Sequence, residues 1–184
     1  VIVKRELQGD LFKELSTLLK VHNIPMQKVP VERIDRFTRT NHQGVIAFLS
    51  AITYEKIEDI IPFLYEKGEN PFIIVLDGIT DVRNFGAIAR TCEVAGVNAI
   101  VIPQKGSVSV NADAVKTSAG ALLKIPVCRE LNLLDTVHFL KNSGIKVIAA
   151  SEYASKLYNE GDYTGPIAIV MGAEDEGVSN EILR

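Results

Sequence analysis

Apolar positions along the chain fall into two spacings, and the alternation between them predicts an α/β protein. Val1–Arg5 reads as a strand by its alternation and β-branching, and 10–22 reads as a helix with Asp10 as N-cap and Leu11, Leu15, Leu18 and Leu19 on one face. A short strand at Met26–Val29, a helix at Val31–Phe37 behind Pro30 and a continuous apolar strand at Val45–Ile52 complete a small unit. Residues 54–70 read as a connector carrying one helix, Ile57–Glu66, in which Pro62 marks either the true start or a kink. From residue 71 the alternation is regular. Strands are expected at Phe72–Leu76, Ala99–Ile102, Ile125–Val127, Lys146–Ala150 and Pro166–Met171, and helices at Asn84–Ala95, Asn111–Leu122 and Leu131–Asn142, the first and last closed by Gly96 and Gly144. Short strands that are apolar throughout, separated by amphipathic helices, predict a mostly parallel sheet covered on both faces. The expected division is 1–53, a linker at 54–70, and 71–184.

Composition narrows the class without naming it. The 184 residues are 47% hydrophobic and 23% charged, as in ordinary globular domains. No apolar run approaches the roughly 20 residues of a membrane helix, and Val1-Ile2-Val3-Lys4-Arg5 has no secretory-signal character. It reads as a strand entered midway, so a preceding segment is expected. Cys92 and Cys128 stand far apart with no paired spacing, which predicts reduced thiols and a cytoplasmic protein. The net charge of −3 is unevenly spread: residues 1–53 hold eight Lys/Arg against five Asp/Glu, and 54–184 hold twelve against eighteen. A basic small unit joined to an acidic larger one points the first toward a polyanion, although an excess of three charges also arises by chance.

Candidate chemistry sits where apolar strands run into glycine-bearing polar loops. The first such place is Leu76-Asp77-Gly78-Ile79-Thr80-Asp81-Val82-Arg83-Asn84-Phe85-Gly86, continuing to Arg90-Thr91. It holds neither GxGxxG nor GxxxxGK[ST], which disfavours a nicotinamide-dependent oxidoreductase or a nucleotide-cradling loop. Asn84 is placed to cap the helix that follows. Arg90, in an otherwise apolar stretch, admits two readings: an ion pair with Asp77 or Asp81, or a fork aimed at a phosphate or ribose. The second place is Met171-Gly172-Ala173-Glu174-Asp175-Glu176-Gly177. Its acids are either the charged first turn of a helix or the edge of a ligand site. Arg33, Arg36 and Arg39 recur every third residue before Asn41-His42-Gln43-Gly44, a spacing that suits either a solvated face or an RNA backbone. His22, His42 and His138 show no metal-ligand spacing with one another or with the cysteines, so no metal is expected.

Taken together, these segments resemble the SpoU family of RNA ribose 2′-O-methyltransferases, within the knotted SPOUT superfamily. The resemblance rests on Asp77, Asn84, Gly86, Arg90 and Thr91; on Gly172, Glu174 and Gly177; on Thr117-Ser118-Ala119-Gly120-Ala121-Leu122 with Ile125-Pro126-Val127; and on the turn His42-Gln43-Gly44. That turn is similar to the end of the RNA-binding domain in members of the 23S ribosomal RNA guanosine 2′-O-methyltransferase type. The resemblance implies S-adenosyl-L-methionine as cofactor, RNA (ribosomal RNA favoured) as substrate, and a homodimer joined through the catalytic domain. It implies catalytic roles for Arg90, Asn84 and Glu174, cofactor contacts from Gly172, Met171, Ala150 and Ser151, and RNA contacts from Arg33, Arg36, Arg39, His42 and Gln43. It places the segment that completes a trefoil knot, and much of the cofactor pocket, after residue 184. The alternatives it leaves are a transfer-RNA 2′-O-methyltransferase and an RNA-binding module that has lost its chemistry.

Overall fold

The computed structural model describes every residue except Leu49 and divides the chain into two compact units, Val1–Leu49 and Ser50–Arg184. In the first unit, β1 (Ile2–Lys4) lies between β2 (Gln27–Val29), to which it is parallel, and β3 (Val45–Ile46), to which it is antiparallel. Helices α1 (Asp10–Val21) and α2 (Val31–Asp35) complete it, and Ile2, Val29 and Ile34 form its core with Ile46 packed against them. Three expectations shift here. Gly9, at φ 117°, occupies the N-cap position of α1 and Asp10 is the first helical residue. Helix α2 ends at Asp35, so Arg36 and Arg39 stand in the turn beyond it rather than on a helical strip. Strand β3 stops at Ile46; Leu49, in the expected strand, lies outside the described residues. The stretch beyond it is drawn elsewhere, because the Ser50 hydroxyl and the Ala51 N–H both donate to the carbonyl of Val110, at 3.2 and 2.8 Å.

The second unit is a five-stranded, wholly parallel sheet in the order β6-β5-β4-β8-β7. Its strands are β4 (Phe72–Leu76), β5 (Ala99–Pro103), β6 (Val127–Glu130), β7 (Lys146–Ala150) and β8 (Ile167–Met171). Alternate residues of each central strand serve opposite cores. Ile73 and Val75 join α3 (Ile57–Glu66) and α6 (Leu133–Asn142) on one face; Ile74 and Leu76 join α4 (Val82–Val94) and α5 (Ala112–Thr117) on the other. Helix α3 runs unbroken through Pro62. A last short helix, α7, spans Asn180–Leu183.

Helix α6 starts at Leu133 rather than Leu131, behind its cap Asn132, and two other helices differ from the sequence reading for local reasons. The expected helix Asn111–Leu122 is two pieces, because Ala119 (φ 52°) and Gly120 (φ 85°) are left-handed and end α5; a 3-10 turn at Ala121–Leu123 follows. Helix α4 starts two residues earlier than expected, and Asp81 rather than Asn84 is its cap. The Asp81 carboxylate accepts the N–H groups of Arg83 and Asn84, both at 2.8 Å.

Chain order and strand order together locate the place for chemistry. The chain lays down β4, β5 and β6 toward one edge, crosses to β7 at the other edge, and returns with β8 beside β4. The winding direction reverses between β4 and β8. Open α/β sheets bind ligands at the carboxyl ends of the strands flanking such a reversal. The two polar loops singled out in the sequence leave these two strands.

Candidate active site at the β4–β8 switch point

The loops after β4 and β8 are tied to each other. The Asp77 N–H donates to the carbonyl of Met171 at 2.8 Å, and the Asp77 carboxylate accepts the N–H of Ser179 at 2.8 Å. Gly78, at φ 76°, turns the first loop away from the sheet and lies against Ala173. The second loop folds back on itself: the Gly177 N–H donates to the carbonyl of Ala173 at 2.9 Å. Gly172 makes that fold feasible, because a Cβ there would stand 1.9 Å from the carbonyl carbon of Gly177 and 2.1 Å from the nitrogen of Val178.

Beside this pair of loops and the end of β7 lies a cavity of about 620 Å³. Its walls include Ala150, Ser151, Glu152 and Tyr153 from β7 and beyond, Asp77 and Gly78 from β4, and residues 173–180 and Leu183 from β8 onward. Five carboxylates border it (Asp77, Glu152, Glu174, Asp175 and Glu176), and no Lys or Arg does. Its volume falls within the roughly 300–1,000 Å³ of small-molecule sites. A carboxylate-lined cavity favours a cationic ligand. S-adenosylmethionine, whose sulfonium and ammonium outweigh its single carboxylate, fits the residues present. Serine hydroxyls and loop backbone supply neutral partners.

The expected site residues are divided by the fold. Ala150, Ser151 and Glu174 line the cavity. Met171 and Gly172 do not; Met171 ties β8 to the β4 loop by its carbonyl, and Gly172 lets the second loop close. Asn84 and Arg90 are exposed on α4 and line no part of this cavity. Among the described residues Arg90 makes no ion pair, so neither expected partner holds it: Asp81 caps α4, and Asp77 binds Ser179. Gly86 serves packing. A Cβ there would lie 2.7 Å from the Cβ of Thr117 and 3.0 Å from the nitrogen of Ser118, so the helix start and the Thr117-Ser118 segment meet through it. In the first unit His42 is turned inward, its Nε2 2.9 Å from an Asp35 oxygen and its Nδ1 accepting the N–H of Gly44 at 3.0 Å. Both ring nitrogens are thereby engaged, and His42 fastens the turn. Arg33, Arg36, Arg39 and Gln43 remain on the surface. Glu152, Tyr153, Ser179 and Asn180 were not anticipated. Their signal was position alone, since they directly follow β7 or the second loop.

Among the described residues no three His, Cys, Asp or Glu side chains cluster to hold a metal ion. Both cysteines are buried and free, and burial pushes the Cys92 thiol up to about 11 and that of Cys128 to about 12.

Fold and cavity thus define an open α/β protein with an acidic cavity at its switch point. Comparison with known proteins makes the class specific. Residues 71–184 match the SpoU rRNA Methylase family, and residues 1–55 match the RNA 2′-O ribose methyltransferase substrate binding family. The chain belongs to the SpoU rRNA methylase family. A putative TrmH family tRNA/rRNA methyltransferase of Bacillus subtilis is 34% identical over 166 residues, covering 90% of this chain and 67% of that protein. The 23S rRNA (guanosine-2′-O-)-methyltransferase RlmB of Photorhabdus laumondii is 39% identical over 137 residues, 74% of this chain and 56% of that protein. Among solved structures, the AdoMet-bound rRNA methyltransferase of Sinorhizobium meliloti aligns with a TM-score of 0.62 and 21% identity, over all of this chain and 67% of that one. The fold is that of these methyltransferases. This chain spans between about half and two thirds of the lengths of these relatives.

Proposed function

We propose that the protein transfers a methyl group from S-adenosylmethionine to a ribose 2′-hydroxyl of large-subunit ribosomal RNA. The observation that carries this reading is the coincidence of both signature loops with the β4–β8 switch point and its cation-favouring cavity. Relatives named for 23S rRNA guanosine 2′-O-methylation support the substrate class. Bound S-adenosylmethionine supplies an electrophilic methyl on a positively charged sulfur, and the ribose hydroxyl is the nucleophile.

The chain's own residues then divide the remaining work. Ala150 and Ser151 would border the cofactor, and Glu152 and Glu174 on the same cavity wall would favour its net positive charge. Met171 and Gly172 hold the loop from behind. An in-line displacement gains most from holding hydroxyl and methyl in register. The unpaired Arg90, outside the cavity of its own chain, grips the phosphate next to the target ribose. Glu174 takes the proton through water, and Asn84, nearly two turns before Arg90, hydrogen-bonds the substrate. Arg33, Arg36, Arg39 and Gln43 hold RNA from the first unit.

The protein acts as a homodimer in the cytoplasm. Association through the second unit is what the family resemblance implies. Free thiols and the absence, among the described residues, of a helix long and apolar enough to cross a membrane fit that location. The test is Arg90→Ala. Cofactor affinity stays at the wild-type value while methyl transfer is lost; turnover within a few-fold of wild type removes Arg90 from the mechanism.

A further inference from the structure

The first unit exposes two aromatic rings that methyl transfer does not use. Phe37 and Phe48 are each 52% exposed, with ring centroids 5.1 Å apart and planes at 76°. Such an edge-to-face pair covers one ring face with the other ring's edge and leaves the remaining π surface to solvent. Phe37 stands two residues past the end of α2 and borders an open hollow of about 740 Å³ with Glu32, Asp35, Arg36, Thr38 and Arg39. Of the two carboxylates there, Asp35 is engaged by His42. Arg36 and Arg39 make no ion pair among the described residues.

The segment that carries Phe37 is tied at both ends. Its N–H donates to the carbonyl of Ile34, a fully buried core residue, at 2.9 Å. The hydroxyls of Thr38 and Thr40 are hydrogen-bonded at 2.8 Å, and the Asp35–His42–Gly44 chain closes the far end. The backbone that carries Phe37 is therefore held in place, which lowers the entropy lost when something packs on its ring.

Exposed π faces beside two free guanidinium groups match one ligand chemistry: an unpaired base with its flanking phosphates. A duplex offers the phosphates and keeps its base faces stacked internally. From this arrangement we infer that Phe37 and Phe48 form a stacking platform for an unpaired nucleotide of the RNA substrate, with Arg36 and Arg39 on the neighbouring phosphates. The inference rests on the RNA-substrate reading above and adds a requirement for single-stranded character near the target.

Fluorescence anisotropy tests it, with the protein titrated into a labelled uridine oligomer of about 12 nucleotides, within the range of single-strand sites, and into an RNA duplex of equal length. Phe37→Leu keeps apolar bulk and removes the π face. It unfolds at the wild-type urea concentration, weakens oligomer binding by about 5- to 150-fold, and leaves duplex binding unchanged. Phe37→Trp restores the oligomer affinity. Arg36→Gln with Arg39→Gln instead lowers the salt slope of oligomer binding by about 1.4, at roughly 0.7 per phosphate. Wild-type oligomer affinity in Phe37→Leu, or equal loss for oligomer and duplex, overturns the platform and leaves the RNA-substrate reading standing. Failure of the wild-type protein to bind either RNA overturns both.

Discussion

Replacing Gly172 by alanine puts the proposed site under the sharpest structural test. The added Cβ would stand 1.9 Å from the carbonyl carbon of Gly177, 2.0 Å from its oxygen and 2.1 Å from the nitrogen of Val178. These are backbone atoms, so no side-chain rotation relieves the overlap. The loop 173–177 must swing outward. Two hydrogen bonds depend on its present course: Gly177 N–H to Ala173 and Ser179 N–H to the Asp77 carboxylate. The first is worth about 1 kcal/mol net and the second, with a charged acceptor, about 1.5–3, so the variant loses roughly 2–4 kcal/mol. The same swing displaces one wall of the cofactor cavity, and a displacement of about 1 Å at reacting groups lowers turnover about 100-fold. Gly177→Ala is the internal control. A Cβ there meets nothing within 4 Å, and the residue carries only the left-handed backbone, φ 68°, at a cost of about 1–2 kcal/mol. Urea unfolding and titration with S-adenosylmethionine measure both variants. The reasoning fails if Gly172→Ala unfolds with the wild type and binds cofactor as tightly, or if Gly177→Ala proves the more damaging.

Two further outcomes follow from the packing. Gly86→Ala gains about 1 kcal/mol of helix propensity but drives a Cβ to 2.7 Å from that of Thr117, an overpacking cost of about 1–3 kcal/mol, so its urea midpoint falls; a raised midpoint contradicts the close approach of α4 to this segment. Glu130 accepts the N–H of Ile57 at 3.0 Å, and burial raises its carboxyl above the ordinary value of 4.5. The folded state thus binds this proton more tightly than the unfolded one, so Glu130 lowers stability as pH rises through the carboxylate range. Glu130→Gln keeps the acceptor for Ile57 and removes the titration; its stability relative to wild type increases from pH 4 to pH 7, and a flat difference contradicts the assignment.

Much of the fold was legible because its strands are buried on both faces. The bounds of α3, β4 and β7 agree with the sequence reading, since each is a compact apolar run or stripe closed by Gly, Pro or a polar turn. Local backbone detail was less legible. Ala119 adopts a left-handed conformation that its side chain does not advertise, and this splits the expected helix at 111–122. Asn84 and Asp81 are both good caps, and only geometry shows that the aspartate has the role. For the site, both signature loops stood out as polar breaks after apolar strands. Glu152 and Tyr153 did not, because their relevance depends on β7 lying beside β8, a pairing that no spacing encodes. His42 looked like an RNA contact from its company and is engaged by Asp35 and Gly44.

The most direct test of the central claim is the chemical position of the transferred methyl. Protein is incubated with methyl-labelled S-adenosylmethionine and large-subunit ribosomal RNA, and the RNA is then hydrolysed in alkali, which needs a free 2′-hydroxyl to cut. The account predicts label in alkali-resistant dinucleotides. Label in ordinary mononucleotides, attached to a base, would contradict it.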